Sequence, residues 1–286
     1  ASSAEYLPAA SPADYGPNLK KFVDKKCTYI IGVGFALGDA IIASAEANPT
    51  VKYAIVDDAG LKNFTTPIAN LKGITFKTNE NSFLAGYLAA GYSKTGVVAT
   101  YGGMPFPTVT IFMDGFAKGV EYYNDVKGKS VKVLGWDPAK PSAGTMVGDF
   151  ANTNKALSIS QNFELQGADV IFPVAGSLGV TTAENSMKTK KSVTIGVDAD
   201  FNLTAPKVKS AVLISVLKGL NEAVQASVKE AYDGKYSNKQ YVGTLKNKGV
   251  GLSPLYAPFN KSIPKSLQTE LKDLQVNVAG GYIPVS

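Results

Sequence analysis

Strand-length apolar runs and helix-period segments alternate along almost the whole of this chain, the grammar of βα units built around parallel sheets. Thr28 to Gly34 (TYIIGVG) reads as a strand, FALGDAIIASAEANP as a helix stopped at Asn48-Pro49, and Val51 to Asp57 (VKYAIVD) as the next strand. The unit then repeats, with a helix over Asn81 to Lys94, the strand GVVATYGG, the long amphipathic helix TVTIFMDGFAKGVEYYN and the strand SVKVLGW. A helix over Asp149 to Gln166, the strand ADVIFPVA, a helix over Leu178 to Lys190 and the strand SVTIGVD continue the order. After Pro206 come the strand SAVLIS, a helix from Leu217 to about Tyr232, and a last helix IPKSLQTELKDLQ. No low-complexity tract, heptad pattern or long linker interrupts this order, so two similar α/β halves joined by short crossings are expected.

In open parallel sheets ligands bind beyond the C-terminal ends of the strands. Gly34-Phe35, Asp57, Gly102-Gly103, Trp136, Ala175-Gly176 and Asp198 all fall at such ends. Glycines let a ligand approach the backbone, aromatic rings offer flat faces, and carboxylates accept hydrogen bonds from hydroxyls. Each residue also has a plain structural reading: Phe35 as core, Trp136 as a packed strand end, Asp57 and Asp198 as helix caps.

Several function classes are excluded by residue types. All 29 basic residues are lysines, and they are scattered rather than massed, which does not suit a nucleic-acid reader built on bidentate arginines. The chain has no histidine and one cysteine, Cys27, so the commonest general base, most zinc sites and any intrachain disulfide are missing. No cofactor or metal is expected. No run approaches the ~20 apolar residues of a membrane span, and the N-terminus lacks the basic start and apolar middle of a signal peptide.

The glycines of IIGVGFALGDA tempt a dinucleotide reading, but Leu37 holds the position of the third glycine and Phe35 occupies the space a pyrophosphate needs. GKS at Gly128 to Ser130 is not a phosphate loop, because Tyr123 stands at its first glycine and a strand follows it. AGSLG (Ala175 to Gly179) has alanine at the first glycine of a nucleophile elbow, and no histidine exists to activate Ser177. Ser177 is expected to cap the next helix.

YGPNLKKFVDKKCTYIIGVGFALGDAIIASAEANPTVKYAIVD resembles the basic membrane protein family of ABC-transporter substrate-binding lipoproteins, which includes PnrA-like purine nucleoside receptors. The match continues in order through NENSFLAGYLAAGYSKTGVVATYGGMPFPTVTIFMDGFAKGVEYYN, DPAK, GADVIFPVAGSLG, IGVDAD and SVLKGL. The resemblance implies a type I periplasmic-binding-protein fold, α/β throughout, with two Rossmann-like lobes joined by a three-crossing hinge and closing on a solute, and no catalysis. One lobe would take residues 1–104 and 210–240, the other 105–209 and 241–286. It further implies that Asp198 and Lys218 hold the ribose hydroxyls of a purine nucleoside and that Gly176 forms part of the wall. Gly34, Phe35, Asp57 and Trp136 would lie beside them.

The partners implied are a small-molecule solute, an ABC permease, and the membrane surface through a lipid anchor not present in this chain, all in an extracytoplasmic setting. Family members begin with a further strand and helix carrying a base-stacking Phe, and the full-length protein is expected to have such a unit before Ala1. Other solutes of the same receptor class, such as flavins, other heterocycles or sugars, remain alternatives. An intracellular ligand sensor and a carboxylate-based hydrolase or transferase are more distant ones.

Overall fold

A computed structural model describes residues 3–285 of the 286-residue chain. The chain forms two compact units, one comprising the residues up to Phe76 together with Leu220–Gly243, the other Lys77–Gly219 together with the residues from Thr244 onward.

The first unit opens with helix α1 (Tyr15–Asp24), strand β1 (Tyr29–Val33), helix α2 (Gly38–Ala47) and strand β2 (Lys52–Val56). A short hairpin, β3 (Leu61–Lys62) with β4 (Thr66–Pro67), leads to strand β5 (Leu71–Phe76). The chain then enters the second unit through helix α3 (Thr78–Tyr92), β6 (Val97–Gly102), α4 (Pro107–Lys127) and β7 (Lys132–Leu134). There follow α5 (Thr153–Leu165), β8 (Val170–Val174), α6 (Leu178–Thr189), β9 (Val193–Asp198), the single turn α7 (Phe201–Thr204) and β10 (Val212–Lys218). Helix α8 (Leu220–Tyr232) and strand β11 (Tyr241–Gly243) return to the first unit, and β12 (Val250–Leu252), α9 (Phe259–Ser262) and α10 (Lys265–Ala279) complete the second.

In the first unit the strands run in the order β1-β2-β5-β11, all parallel. Strand β2 is central and read as a continuous apolar run, as a parallel strand covered on both faces should. Its Tyr53 and Ile55 are fully buried against Leu19, Ile30, Ile41 and Leu71, and Ala54 between them is fully buried as well. The Tyr53 hydroxyl meets the Ser44 Oγ at 3.0 Å, so the ring is buried without stranding its polar end. Asn70 is the polar fastener of this core: its Nδ2 lies 2.9 Å from the Ala45 carbonyl, 3.1 Å from that of Asn48 and 2.9 Å from that of Val51. It ties the end of α2 to the start of β2. Replacing Asn70 with alanine is expected to cost about 2 kcal/mol by leaving buried acceptors unpaired, read as a lower midpoint in urea unfolding at unchanged slope.

The second unit has a six-stranded sheet, β12-β10-β9-β8-β6-β7, parallel except for the edge pair of β10 with β12. Tyr101, Phe112, Phe116 and Phe172 fill its core. Helices α3 and α4 lie backbone to backbone, because Gly86, Gly115 and Gly119 face main-chain atoms of the partner helix: a Cβ on Gly119 would sit 2.0 Å from the Phe83 carbonyl oxygen.

Three elements depart from the sequence reading. The expected lobe boundaries at 104 and 210 lie instead at 76 and 219, because β6 pairs with β8 and β10 with β9, which carries the segments 77–104 and 210–219 into the second sheet. Leu217 and Lys218, read as the start of a helix, are the last residues of β10, held there by pairing of Leu217 with Asp198 on one side and Gly251 on the other. Strand β5 has no counterpart in the sequence pattern. Lys72 breaks its apolar pattern, yet Lys72 is buried and ion-paired with Glu230 of α8.

Candidate functional site

At the C-terminal edge of the second sheet the strand order sets a row of residues. Lys218 ends β10, Asp198 ends β9, Ala175-Gly176 follow β8, Gly103 follows β6, and Trp136 lies just past β7. Residues far apart in sequence are thus neighbours along one edge, as parallel pairing dictates.

Asp198 and Lys218 are brought together. The Lys218 Nζ lies 3.0 Å from the Asp198 Oδ1, and the lysine side chain is only 6% exposed against 36% for the aspartate. The ammonium also sits over the Phe112 ring, 5.1 Å from its centroid, in cation–π contact. Asp198 Oδ1 is itself buried and accepts no well-aligned hydrogen bond, so the contact with Lys218 is charge to charge and leaves acceptor capacity unused. Asp198 has a left-handed backbone, φ 66°, an uncommon state for a residue other than glycine.

A buried carboxamide supports this pair from behind. Asn81, fully buried on α3, donates from Nδ2 to the Leu217 carbonyl at 2.9 Å and to the Gly251 carbonyl at 2.7 Å. Leu217 stands in register with both Asp198 and Gly251, so Asn81 fastens the row from which Lys218 extends. Neither Asn81 nor Phe112 was singled out from the sequence. The available signal was an asparagine in an otherwise apolar helical stretch, and Phe112 looked like any core aromatic.

Gly176 has φ 56° with open space where a Cβ would project, so its backbone is bare at the sheet edge. Ser177 beside it makes no capping hydrogen bond; its own backbone is already helical, which takes the hydroxyl away from the geometry of a cap. Trp136 is 6% exposed. Its ring lies against Gly144 and its Nε1 donates to the Asp114 carboxylate at 2.9 Å, so the indole is a packed one.

In the first unit Gly34, Phe35 and Asp57 share the corresponding edge. Val33 and Val56 are in register, and the N–H of Gly34 donates to the Val56 carbonyl at 3.0 Å, which sets Gly34-Phe35 and Asp57 on adjacent strand ends. Phe35 is half-buried and opens a short 3-10 turn. Asp57 repeats the backbone of Asp198 with φ 67°. Its neighbour Asp58, missed in the sequence, places a carboxylate oxygen 2.9 Å from where a Gly38 Cβ would stand, at the start of α2. Burial pushes the Asp58 carboxyl above the usual carboxylate range, opposed by the hydrogen bond from the Gly60 N–H at 2.7 Å.

The sequence matches the family model for PnrA-like ABC transporter substrate-binding proteins, Bmp, over residues 2–279. It is 29% identical to the ABC transporter nucleoside-binding protein BmpA of Lactococcus lactis, over 96% of this chain and 77% of that protein. A CD4+ T-cell-stimulating antigen of Listeria innocua is 30% identical over 98% of this chain and 76% of its own length. Among solved structures, an ABC transporter solute-binding protein of Aeropyrum pernix superposes with a TM-score of 0.81 at 22% identity, covering 96% of this chain and 82% of that one. A solute-binding protein of Agrobacterium vitis bound to α-D-tagatopyranose superposes with a TM-score of 0.63 at 15% identity, over 92% of this chain and 85% of its own. The fold is that of type I periplasmic solute-binding proteins. With parallel sheets whose C-terminal edges gather the polar and aromatic residues, and a family model spanning nearly its whole length, the chain belongs to the PnrA-like family of ABC transporter substrate-binding proteins.

Proposed function

We propose that this protein is the extracytoplasmic solute receptor of an ABC importer and that its solute is a purine nucleoside. The observation that carries the reading is the Asp198–Lys218 pair, a carboxylate with a buried, unused acceptor oxygen beside an ammonium at the edge of a parallel sheet. Vicinal ribose hydroxyls need an acceptor and a donor side by side, and this pair supplies both. Support also comes from the relative named as nucleoside-binding. Both strand-ending aspartates hold a left-handed backbone, a cost of order 1 kcal/mol each that tends to persist at functional positions. Gly176 is proposed as bare backbone against the solute; in the first unit, Gly34, Phe35 and Asp57 are proposed as ligand-facing residues of that unit's own sheet edge. Trp136 is proposed to act through Asp114, which its indole holds in place.

A phosphorylated solute is disfavoured at this edge, because the chain has neither arginine nor a glycine-cradled phosphate loop. The receptor's partner is proposed to be an ABC permease. Among the described residues no helix is long and apolar enough to cross a membrane. Calorimetry with inosine, guanosine and adenosine, their free bases, their monophosphates and free ribose tests the solute. Nucleosides are expected to bind at least about 100-fold more tightly than free bases, because a base alone leaves the Asp198 acceptor unpaired. Equal affinity for bases would remove the ribose assignment. Tighter binding of free ribose would move the solute to the sugars, which the tagatose-bound neighbour also accommodates on this fold.

A further inference from the structure

The second unit carries a separate basic groove that the nucleoside reading does not use. It lies between α10 and the segment running from the end of β12 through α9, with a volume of about 500 Å³, within the range of small-molecule sites. Lys261, Lys265 and Lys272 line it, and no aspartate or glutamate does. None of these three ammonium groups forms an ion pair or hydrogen bond among the described residues. Elsewhere on the molecule Lys20, Lys25, Lys62, Lys127 and Lys229 each reach a carboxylate. Three like charges around one hollow repel one another, and an anion entering it relieves that repulsion.

The rest of the lining narrows the chemistry. Ile214 and Leu271 are buried and give the groove an apolar floor. On α10, Lys265, Gln268, Lys272 and Gln275 follow at spacings of three, four and three, which places them on one helix face. Gln268 is committed to the wall, its Nε2 bonding the Asn260 carbonyl at 3.2 Å and the Ile263 carbonyl at 2.8 Å. Among the described residues the Gln275 carboxamide makes no such bond, and it can serve hydroxyls of a ligand. Planar carboxylates are best met by the fork of an arginine, which this chain lacks, whereas lysines act as point charges that converge on the tetrahedral oxygens of a phosphate.

We infer that this groove is a second ligand site, for a phosphate-bearing group of at least two negative charges or a phosphodiester headgroup set above an apolar floor. Its two sources are a free phosphorylated small molecule and the headgroup of an anionic phospholipid. Pyrophosphate is the probe for the first and phosphatidylglycerol vesicles for the second, with phosphatidylcholine vesicles and a glutamate-rich peptide as controls. Pyrophosphate is expected to bind, and the triple variant Lys261→Gln, Lys265→Gln, Lys272→Gln to weaken it by about tenfold or more. Inosine binding should be the same in variant and parent, which shows that the variant is folded and that this site stands apart from Asp198 and Lys218. Co-sedimentation with phosphatidylglycerol but not phosphatidylcholine vesicles, competed by pyrophosphate, identifies a lipid headgroup; pyrophosphate binding alone identifies a free ligand. The site is refuted if pyrophosphate fails to bind, if its affinity is unchanged in the triple variant, if Asp198→Ala abolishes it, or if the peptide binds as tightly.

Discussion

Asp198→Ala is expected to weaken purine nucleoside binding by about 30- to 1000-fold, the effect of removing a charged partner worth roughly 2 to 4 kcal/mol. The expectation rests on Asp198 Oδ1, buried, 3.0 Å from the Lys218 ammonium and without a hydrogen bond of its own. In a complex, that oxygen would accept from a ribose hydroxyl while Lys218 donates to the neighbouring one. The same contact predicts a smaller effect on the unliganded protein. Removing the carboxylate leaves a lysine that is 6% exposed with one charge partner fewer, although the Phe112 ring still faces it. Because Asp198 itself keeps 36% of its side chain exposed, solvent offsets much of that loss, and the cost to stability is about 1 kcal/mol. Asp198→Asn separates the two effects, since the amide keeps the size and one acceptor while giving up the charge. It should bind nucleosides more weakly than the parent and more tightly than the alanine variant. A structural ion pair alone would give the opposite signature, a lowered melting temperature with nucleoside affinity intact, and calorimetry alongside thermal melts distinguishes the two.

Gly119→Ala is expected to be among the most destabilising single-methyl additions in the chain, at about 3 kcal/mol, lowering the melting temperature by roughly 5 °C. The new Cβ would fall 2.0 Å from the Phe83 carbonyl oxygen and 2.9 Å from the Tyr87 nitrogen, and backbone cannot swing aside as a side chain can. Helices α3 and α4 must therefore separate. Phe83 is two residues from Asn81 on α3, so that movement strains the hydrogen bonds from Asn81 to Leu217 and Gly251 and loosens the strand end that carries Lys218. Nucleoside affinity should fall together with stability. Gly128, at the end of the same helix α4, provides the control. It has φ 61° with nothing within 4 Å of an added Cβ, so Gly128→Ala meets only the backbone cost of the left-handed cap, about 1 kcal/mol. Circular-dichroism melts of the two variants compare them directly, and equal losses would refute close helix contact as the cause.

How far the site could be read from sequence depended on whether a residue's role was local. The placement of Gly34, Asp57, Gly176 and Asp198 at strand ends is legible because each closes an apolar strand, and a parallel sheet gathers its strand ends on one edge. The pairing of Asp198 with Lys218 came only from family resemblance. Periodicity placed Leu217 and Lys218 in a helix, since nothing in the local pattern distinguishes a buried strand from the helix that follows it directly. Asn81 and Phe112 had no local signature, as their importance lies in what reaches them from β10 and β12.

The alternation of apolar runs and helical segments was sufficient to determine an α/β chain with parallel sheets, because strand length and period are local properties of the sequence. Residue types alone also ruled out the chemistry of histidine, arginine and paired cysteines. Which strands share a sheet was a tertiary decision: β6 reads like any first-half strand, yet its hydrogen bonds go to β8 and β7, which puts the division at Phe76. Strand β5 shows the reason most clearly. A lysine within a strand reads as a solvent-facing position, and Lys72 is buried only because α8, nearly 160 residues later, brings Glu230 to neutralise it. Charge compensation and backbone pairing across such separations are set by the packed structure, and no window of sequence contains both partners.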